Sequence, residues 1–399
     1  MTSIHADASA FMRANGIDGW LTRDYRYTNP IFWQAFGRDI ANVTRPVWLL
    51  IPANAEPQLL AHDVDTGRFV GSDVSITAYS NRTSMIDGLA QLLALTGSPG
   101  PKIAMEYSEM YQLPRVSRVD AGTIELVRSL GAEIVSSGDL IQHATERWTT
   151  FQLETHRFAV ERLTRIVKEA FNFAGENVRW ALTEHDIAEH IRGRFDRLGL
   201  EYDDGPVVAF NQHSSDPHYE PKPGSSSVIR RNGWLLIDLW GRQKLELGSP
   251  ERAISADITW VAKLGDTPGE HQLQVFDAVK SARDTAFELL SSETEAGNTV
   301  EGWQLDAAAR KVIHDAGFGK YFVHRLGHSL GHEVHSNGVN LDDWETHDTR
   351  SIIPGIGVTI EPGIYLPEFG VRLEMDVYMG PSGPEITGER QDEIYRIET

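Results

Sequence analysis

Residues 359–365 read T-I-E-P-G-I-Y, an apolar strand-like run that ends in Glu361 and turns at once through Pro362 and Gly363. Alone, such a word is a strand end entering a turn. Its weight comes from four other words around it. Downstream, Glu374 lies in G-V-R-L-E-M-D; upstream, His328 lies in H-R-L-G-H-S-L-G, Asp257 in S-A-D-I-T-W-V and Asp238 in G-W-L-L-I-D-L-W-G. Asp238 and Glu374 each interrupt an apolar strand-like run, where an unpaired charge is costly. Four carboxylates and one imidazole suit two divalent cations, because hard cations prefer oxygen donors and imidazole adds a ligand for Mn, Co, Fe or Zn. Carboxylates that bridge two such ions hold them about 3.5 to 4 Å apart and let a shared water ionise near neutral pH.

The order Asp, Asp, His, Glu, Glu with these flanking words resembles the pita-bread metallopeptidases, the family of methionine aminopeptidase, aminopeptidase P, prolidase and creatinase. The resemblance runs from about Phe151 to the C-terminus, and T-I-E-P-G-I-Y together with G-H-x-x-G makes it specific. It implies an α/β protein with a creatinase-like N-terminal domain over residues 1–147 and a pita-bread catalytic domain over 148–399. It also implies that Asp257 and Glu374 bridge two divalent ions, that Asp238 serves one and that His328 with Glu361 serves the other. Mn is the expected metal, with Co or Zn also suited. Glu361 handles the proton of the attacking water, a task fitted to a carboxylate tuned by adjacent cations.

Three more histidines and one arginine take roles by the same resemblance. His218, in S-S-D-P-H-Y-E-P, His335, in H-E-V-H-S, and His324 are expected to act on substrate, since imidazoles near the metals can donate to a developing oxyanion or to the leaving nitrogen. Arg372 is expected at the substrate end or on a metal carboxylate. The string G-H-E-V-H at 331–335 is not the zincin pattern, because the spacing of His332 and His335 lacks the helical i, i+4 geometry; His332 receives no role.

The activity implied is Xaa-Pro dipeptidase, or prolidase, acting on short proline-containing peptides through a hydroxide shared by the two metals. The alternative within the family is aminopeptidase P acting on longer peptides. A lyase or a metal-free amidinohydrolase on the same fold, and a peptide-binding module without catalysis, are the other readings; the last two are disfavoured by the complete ligand set.

Composition narrows the field without naming an activity. The 37 basic against 57 acidic residues give a net charge of -20, which repels nucleic acid and anionic membrane surfaces. The chain has no cysteine, so thiol nucleophiles, disulfides and Cys-ligated zinc are excluded. No apolar run approaches the roughly 18 residues of a membrane span, and the first residues lack a basic stretch followed by an apolar core; a soluble, cytoplasmic protein is expected. At 399 residues the chain exceeds the usual size of one core, so two domains are expected.

Along the chain, Val47–Pro52 and Gln58–Ala61 read as paired strands, Ser84–Leu95 as a helix capped by Ser84, and Ser98–Lys102 as a loop before a further strand at Ile103–Met105. Phe151–Asn172 and Thr183–Leu198 read as helices. Strands follow at Val207–Phe210, Gly233–Leu239, Ile258–Lys263, Gly357–Ile360 and Val371–Tyr378. Residues 242–253 read as an extended loop, and Ile254, Trp260 and Ser336 depart from the family's usual residues near the site. Creatinase-like N-terminal domains commonly pack as two-fold dimers, so a homodimer is expected. The aromatic segment Tyr25–Phe36 is expected to bring Trp33 to the rim of the partner's pocket.

Overall fold

The computed structural model describes residues 3–38, 42–249 and 251–399. By internal contacts the chain divides into two compact units, Met1–Arg147 and Trp148–Thr399.

The first unit is built on β1 (Gly19–Asp24), β2 (Val47–Pro52), β3 (Gln58–His62), β4 (Ser75–Tyr79), β5 (Lys102–Met105) and β6 (Glu133–Ser136), in the order β4-β3-β2-β1-β5-β6. The β2–β3 pair is antiparallel, with Leu49 opposite Leu59. Alternation along these strands makes two cores. Trp20, Leu49 and Ile51 face the helices Ser3–Ala14, Pro30–Phe36 and Gly138–Thr145, whereas Leu21, Trp48 and Leu50 face Arg82–Ala94 and Ala121–Ser129.

Two sequence expectations are corrected in this unit. The cap of the Arg82–Ala94 helix is Asn81, not Ser84: Asn81 has extended backbone and its side chain accepts from Ser84 N, while Ser84 at N3 accepts from the Asn81 amide, a reciprocal capping box. Trp33 is not at a rim. It is 3 % exposed, donates Nε1 to Asp24 at 3.2 Å and stacks on Phe69 with ring planes 9° apart. The exposed aromatics of that stretch are Tyr25 and Tyr27.

The second unit carries β7 (Leu200–Glu201), β8 (Val207–Phe210), β9 (Trp234–Gln243), β10 (Ser255–Leu264), β11 (Ser329–Leu330), β12 (Gly357–Ile360), β13 (Gly363–Tyr365), β14 (Gly370–Arg372), β15 (Met375–Gly380), β16 (Gly383–Ile386) and β17 (Tyr395–Ile397). One sheet is centred on the long antiparallel pair β9–β10, a second runs β11-β12-β15-β16, and β13–β14 form a hairpin. The predicted strand Val371–Tyr378 is therefore two strands, broken at Leu373 and Glu374.

The faces of β9 and β10 explain where the site lies. Leu235, Ile237 and Leu239, with Ile258, Trp260 and Ala262, pack against the helices Thr150–Asn177 and Glu184–Leu198. Trp234, Leu236 and Val261 join the other core, shared with β12, β15 and the helices Glu270–Glu295 and Gly302–Asp315. Side chains two residues apart share a strand face, so Asp238 continues the row of Trp234 and Leu236, and Asp257 that of Val261. Asp238 pairs with Thr259 and Asp257 with Trp240, so the two acids are diagonal neighbours on one face. Of the loop read at 242–253, Arg242 and Gln243 still pair within the sheet, opposite Ser255 and Leu200, so the connection begins after Gln243; residue 250 lies outside the described residues.

Candidate metal centre

Two strands supply Asp238 and Asp257, and three separate connecting segments supply His328, Glu361 and Glu374. The His328 amide donates to Thr359 Oγ1 at 3.1 Å, Thr359 N donates to His328 O at 2.9 Å, and Glu361 N donates to Leu326 O at 2.8 Å. This register needs Gly327, because a Cβ there would stand 2.1 Å from Thr359 O. Glu374, at the break between β14 and β15, donates its amide to Thr259 O and accepts from Thr259 Oγ1 at 2.7 Å.

Ligand atoms of Asp257, His328 and Glu374 all lie within 4.8 Å of one another. His328 Nε2 is 3.7 Å from Asp257 Oδ2 and 3.5 Å from Glu361 Oε1. Its Nδ1 faces Ser329 O at 3.2 Å, which places the proton on Nδ1 and leaves Nε2 turned to the carboxylates. Asp238 joins through Arg372, whose Nη2 is 2.5 Å from Asp238 Oδ2 and whose Nε is 4.0 Å from Glu361 Oε2.

Electrostatics give the set its character. Burial, and then repulsion from Glu374, Asp238 and the other acids, pushes the Asp257 carboxyl well above its usual range. Burial with Glu361 and Asp238 does the same to Glu374. Glu361 is raised to about 7 by burial, against the opposing pull of Arg372 and Arg325. Asp238 Oδ1, Asp257 Oδ1 and Glu374 Oε1 are buried with no hydrogen-bond donor among the described residues. Buried anions without donors are destabilising unless cations meet them, and oxygen-rich donors with one imidazole are what divalent ions take. The residues present therefore fit a divalent metal site.

Arg372 is 4 % exposed and is committed to Asp238, to Tyr365 Oη at 2.8 Å and to Thr259 Oγ1 at 3.1 Å. Of the two roles expected for it, the geometry is that of an arginine on a carboxylate rather than on a substrate end. His324 also differs from expectation. Its Nδ1 donates to Arg325 O at 2.7 Å, its Nε2 is 2.8 Å from Tyr365 Oη, and burial pushes its pKa down to about 3. A neutral imidazole so arranged accepts from the tyrosine, and both of its ring nitrogens are engaged within the protein. His335 is exposed, with its ring centroid 4.2 Å from that of His328. His218 is also exposed and follows Pro217, whose carbonyl is 3.5 Å from Arg372 Nη1.

Sequence reasoning missed three residues of this neighbourhood. Asp376, 1 % exposed, accepts from Asp257 N at 3.0 Å; the signal was an acid two residues from Glu374. Thr259 and Tyr365 stood inside quoted words without being singled out. The departures lie off the ligand set. Trp260 packs on the opposite face of β10, with Lys168 Nζ 5.2 Å from its ring. Ile254 packs with Trp148, Leu330 and Tyr378, and Ser336 N donates to Ser329 O. His332 ties the turn after β11 to β10, its Nδ1 3.1 Å from Ala253 O and its carbonyl accepting from Ser255 Oγ at 2.9 Å.

Residues 158–381 match the profile of metallopeptidase family M24. A peptidase of Staphylococcus haemolyticus, described as uncharacterized, is 29% identical over 264 residues, 66% of this chain and 68% of its own length. Among solved structures, the dipeptidase PepE of Mycobacterium ulcerans superposes with a TM-score of 0.74 at 21% identity over 99% of this chain and 97% of its own. The recombinant prolidase of Thermococcus sibiricus gives 0.67 at 21% identity over 100% of both chains. At these identities the likeness is one of fold.

Proposed function

The chain belongs to metallopeptidase family M24, and on that premise we propose that it is a cytoplasmic Xaa-Pro dipeptidase that hydrolyses the bond before proline in short peptides, with two divalent ions held by Asp238, Asp257, His328, Glu361 and Glu374. The observation that carries this reading is the convergence of Asp257, His328 and Glu374 within 4.8 Å, with Glu361 3.5 Å from His328, in a chain whose fold neighbours include a dipeptidase and a prolidase. When bound, such ions supply an activated water and polarise the scissile carbonyl.

The chain's own residues do the rest. Asp257 and Glu374 would be shared by the two ions, Asp238 would serve one of them and His328 with Glu361 the other, while Arg372 reaches both Asp238 and Glu361. Glu361, whose carboxylate stands 3.5 Å from His328 Nε2, takes the proton of the attacking water and passes it to the leaving nitrogen. His335 and His218, both exposed beside the buried set, donate to the oxyanion and to the substrate backbone. Arg372 holds Asp238 in place, and a homodimer completes the substrate pocket.

Activity of the Mn-loaded protein on Ala-Pro, Ala-Pro-Ala and Ala-Ala tests the reading. Preference for Ala-Pro supports a dipeptidase; preference for Ala-Pro-Ala makes the enzyme an aminopeptidase P; equal use of Ala-Ala removes the proline specificity, and no hydrolysis overturns the proposal.

A further inference from the structure

Glu184 opens the helix Glu184–Leu198 and is 0 % exposed. Its carboxylate accepts from Phe210 N at 2.7 Å, Ser227 N at 2.7 Å, Tyr219 Oη at 2.6 Å and His213 Nδ1 at 2.9 Å. Its own amide donates to Ser227 O at 3.1 Å. Phe210 is the last residue of β8, and the other three donors lie in the segment that follows it, 211–227, which has little regular structure beyond the short turn Asn211–Ser215. A segment of that kind lacks a ladder of backbone hydrogen bonds to hold its shape, and here one buried carboxylate gathers it instead. The helix N-terminus favours the charge in that position.

The segment carries His218, next to Tyr219, whose ring stacks on His213 with centroids 4.3 Å apart. The far side of the segment is tied to the metal-bearing elements: Gly370 N donates to Ser214 Oγ at 2.7 Å, and Arg372 Nη1 is 3.5 Å from Pro217 O. His218 itself is exposed, so its position is inherited from these neighbours.

We propose that Glu184 is a positioning residue, which fixes the conformation of residues 211–227 and thereby the place of His218, whose neighbour Pro217 meets Arg372 through its carbonyl. The catalytic half of this inference rests on the reading of His218 as a substrate-facing group. Glu184→Gln keeps the side chain's volume but puts an amide donor against hydrogens that need an acceptor.

Two measurements decide it. Hydrogen exchange in Glu184→Gln should show faster exchange confined to peptides spanning 211–227, with Tyr219→Phe giving a smaller change of the same kind; unchanged protection there overturns the proposal whatever the enzyme's substrate. In a double-mutant cycle on Ala-Pro with metal content checked, Glu184→Gln should lower kcat/KM by about tenfold or more, yet cost little further in a His218→Ala background. Full additivity of the two losses would overturn the link to His218. A wild-type protein inactive on Ala-Pro would strike the dipeptidase reading and leave the exchange result to decide the role of Glu184.

Discussion

Tyr365 holds its hydroxyl 2.8 Å from His324 Nε2 and accepts on the same oxygen from Arg372 Nη1, also at 2.8 Å. A chain of donors thus runs from Arg372 through Tyr365 to His324 and leaves the arginine's Nη2 for Asp238. Removing the hydroxyl by Tyr365→Phe keeps the ring and frees Arg372 to turn away. Turnover should fall by about tenfold or more with metal content nearly unchanged. An unaltered kcat would mean the chain orients nothing.

Metal removal should act on stability as well as on activity. Asp257 and Glu374 are 5% and 2% exposed, so stripping cations leaves mutually repelling buried carboxylates. A chelator should abolish hydrolysis and lower the temperature of unfolding; Mn or Co should restore both, at a stoichiometry near two ions per chain. Fully active protein with no metal by elemental analysis would move the chemistry to a metal-free hydrolysis.

Chemistry and ligation separate at Glu361 and His335. Glu361→Gln keeps the size but weakens ligation and proton transfer, and turnover should fall by at least about a hundredfold with the fold retained. His335→Ala should lower turnover while the metals stay, since His335 lies outside the proposed ligand set and meets it through its ring contact with His328. If His335→Ala strips the metals, the roles of His328 and His335 are exchanged.

How much of this was legible in the sequence depended on whether the signal was local. Asp238 in L-L-I-D-L-W and Glu374 in V-R-L-E-M stood out because a charge inside an apolar alternation needs a reason. The paired strands Val47–Pro52 and Gln58–Ala61 were legible as short apolar runs, the second running one residue further, to His62. Asp306 was not: with Arg310 one turn on it looks like a surface ion pair, yet it is 0 % exposed and also accepts from Leu326 N at 2.7 Å, bracing the segment that carries His328. His324 was assigned to the substrate because its word was right, while its partner Tyr365 lies far along the chain and only folding reveals that its Nε2 is taken. Trp33 failed for a different reason, since aromatic density cannot distinguish a rim from a core.

Acid should destabilise the second unit through His156. It is buried, with Nδ1 2.9 Å from Ser255 O and Nε2 2.7 Å from Thr387 Oγ1, and burial pushes its pKa from 6.5 down to about 4. Between those values the unfolded chain binds a proton that the folded chain refuses, so stability is lost as pH falls through that window, by up to about 1.4 kcal/mol per pH unit. In metal-depleted protein the raised carboxyls of Asp257, Glu361 and Glu374 act in the opposite sense and equally in both proteins, so the difference is the check: from pH 7 to 4 the unfolding temperature of His156→Gln should rise relative to that of wild type, and a constant difference would refute the assignment.

The aromatic segment of the first unit now divides into two parts with opposite expectations. Trp33, packed between Asp24 and Phe69, is core, so Trp33→Ala should cost about 3 to 5 kcal/mol and lower the unfolding temperature without a selective effect on substrate length. Tyr25 and Tyr27 are 37 % and 48 % exposed, and Arg26 and Tyr27 have φ of 55° and 66°, a left-handed conformation that costs non-glycine residues of order 1 kcal/mol. Strain kept at an exposed aromatic tip is reasonable where the tip meets a partner. The expected outcome is a homodimer by solution mass, in which Tyr27→Ala leaves folding intact and raises activity on Ala-Pro-Ala relative to Ala-Pro, because a pocket closed by the partner's tip is opened. A fully active monomer at assay concentration, or a dimer whose Tyr27→Ala variant keeps the wild-type ratio, would remove this tip from the substrate pocket.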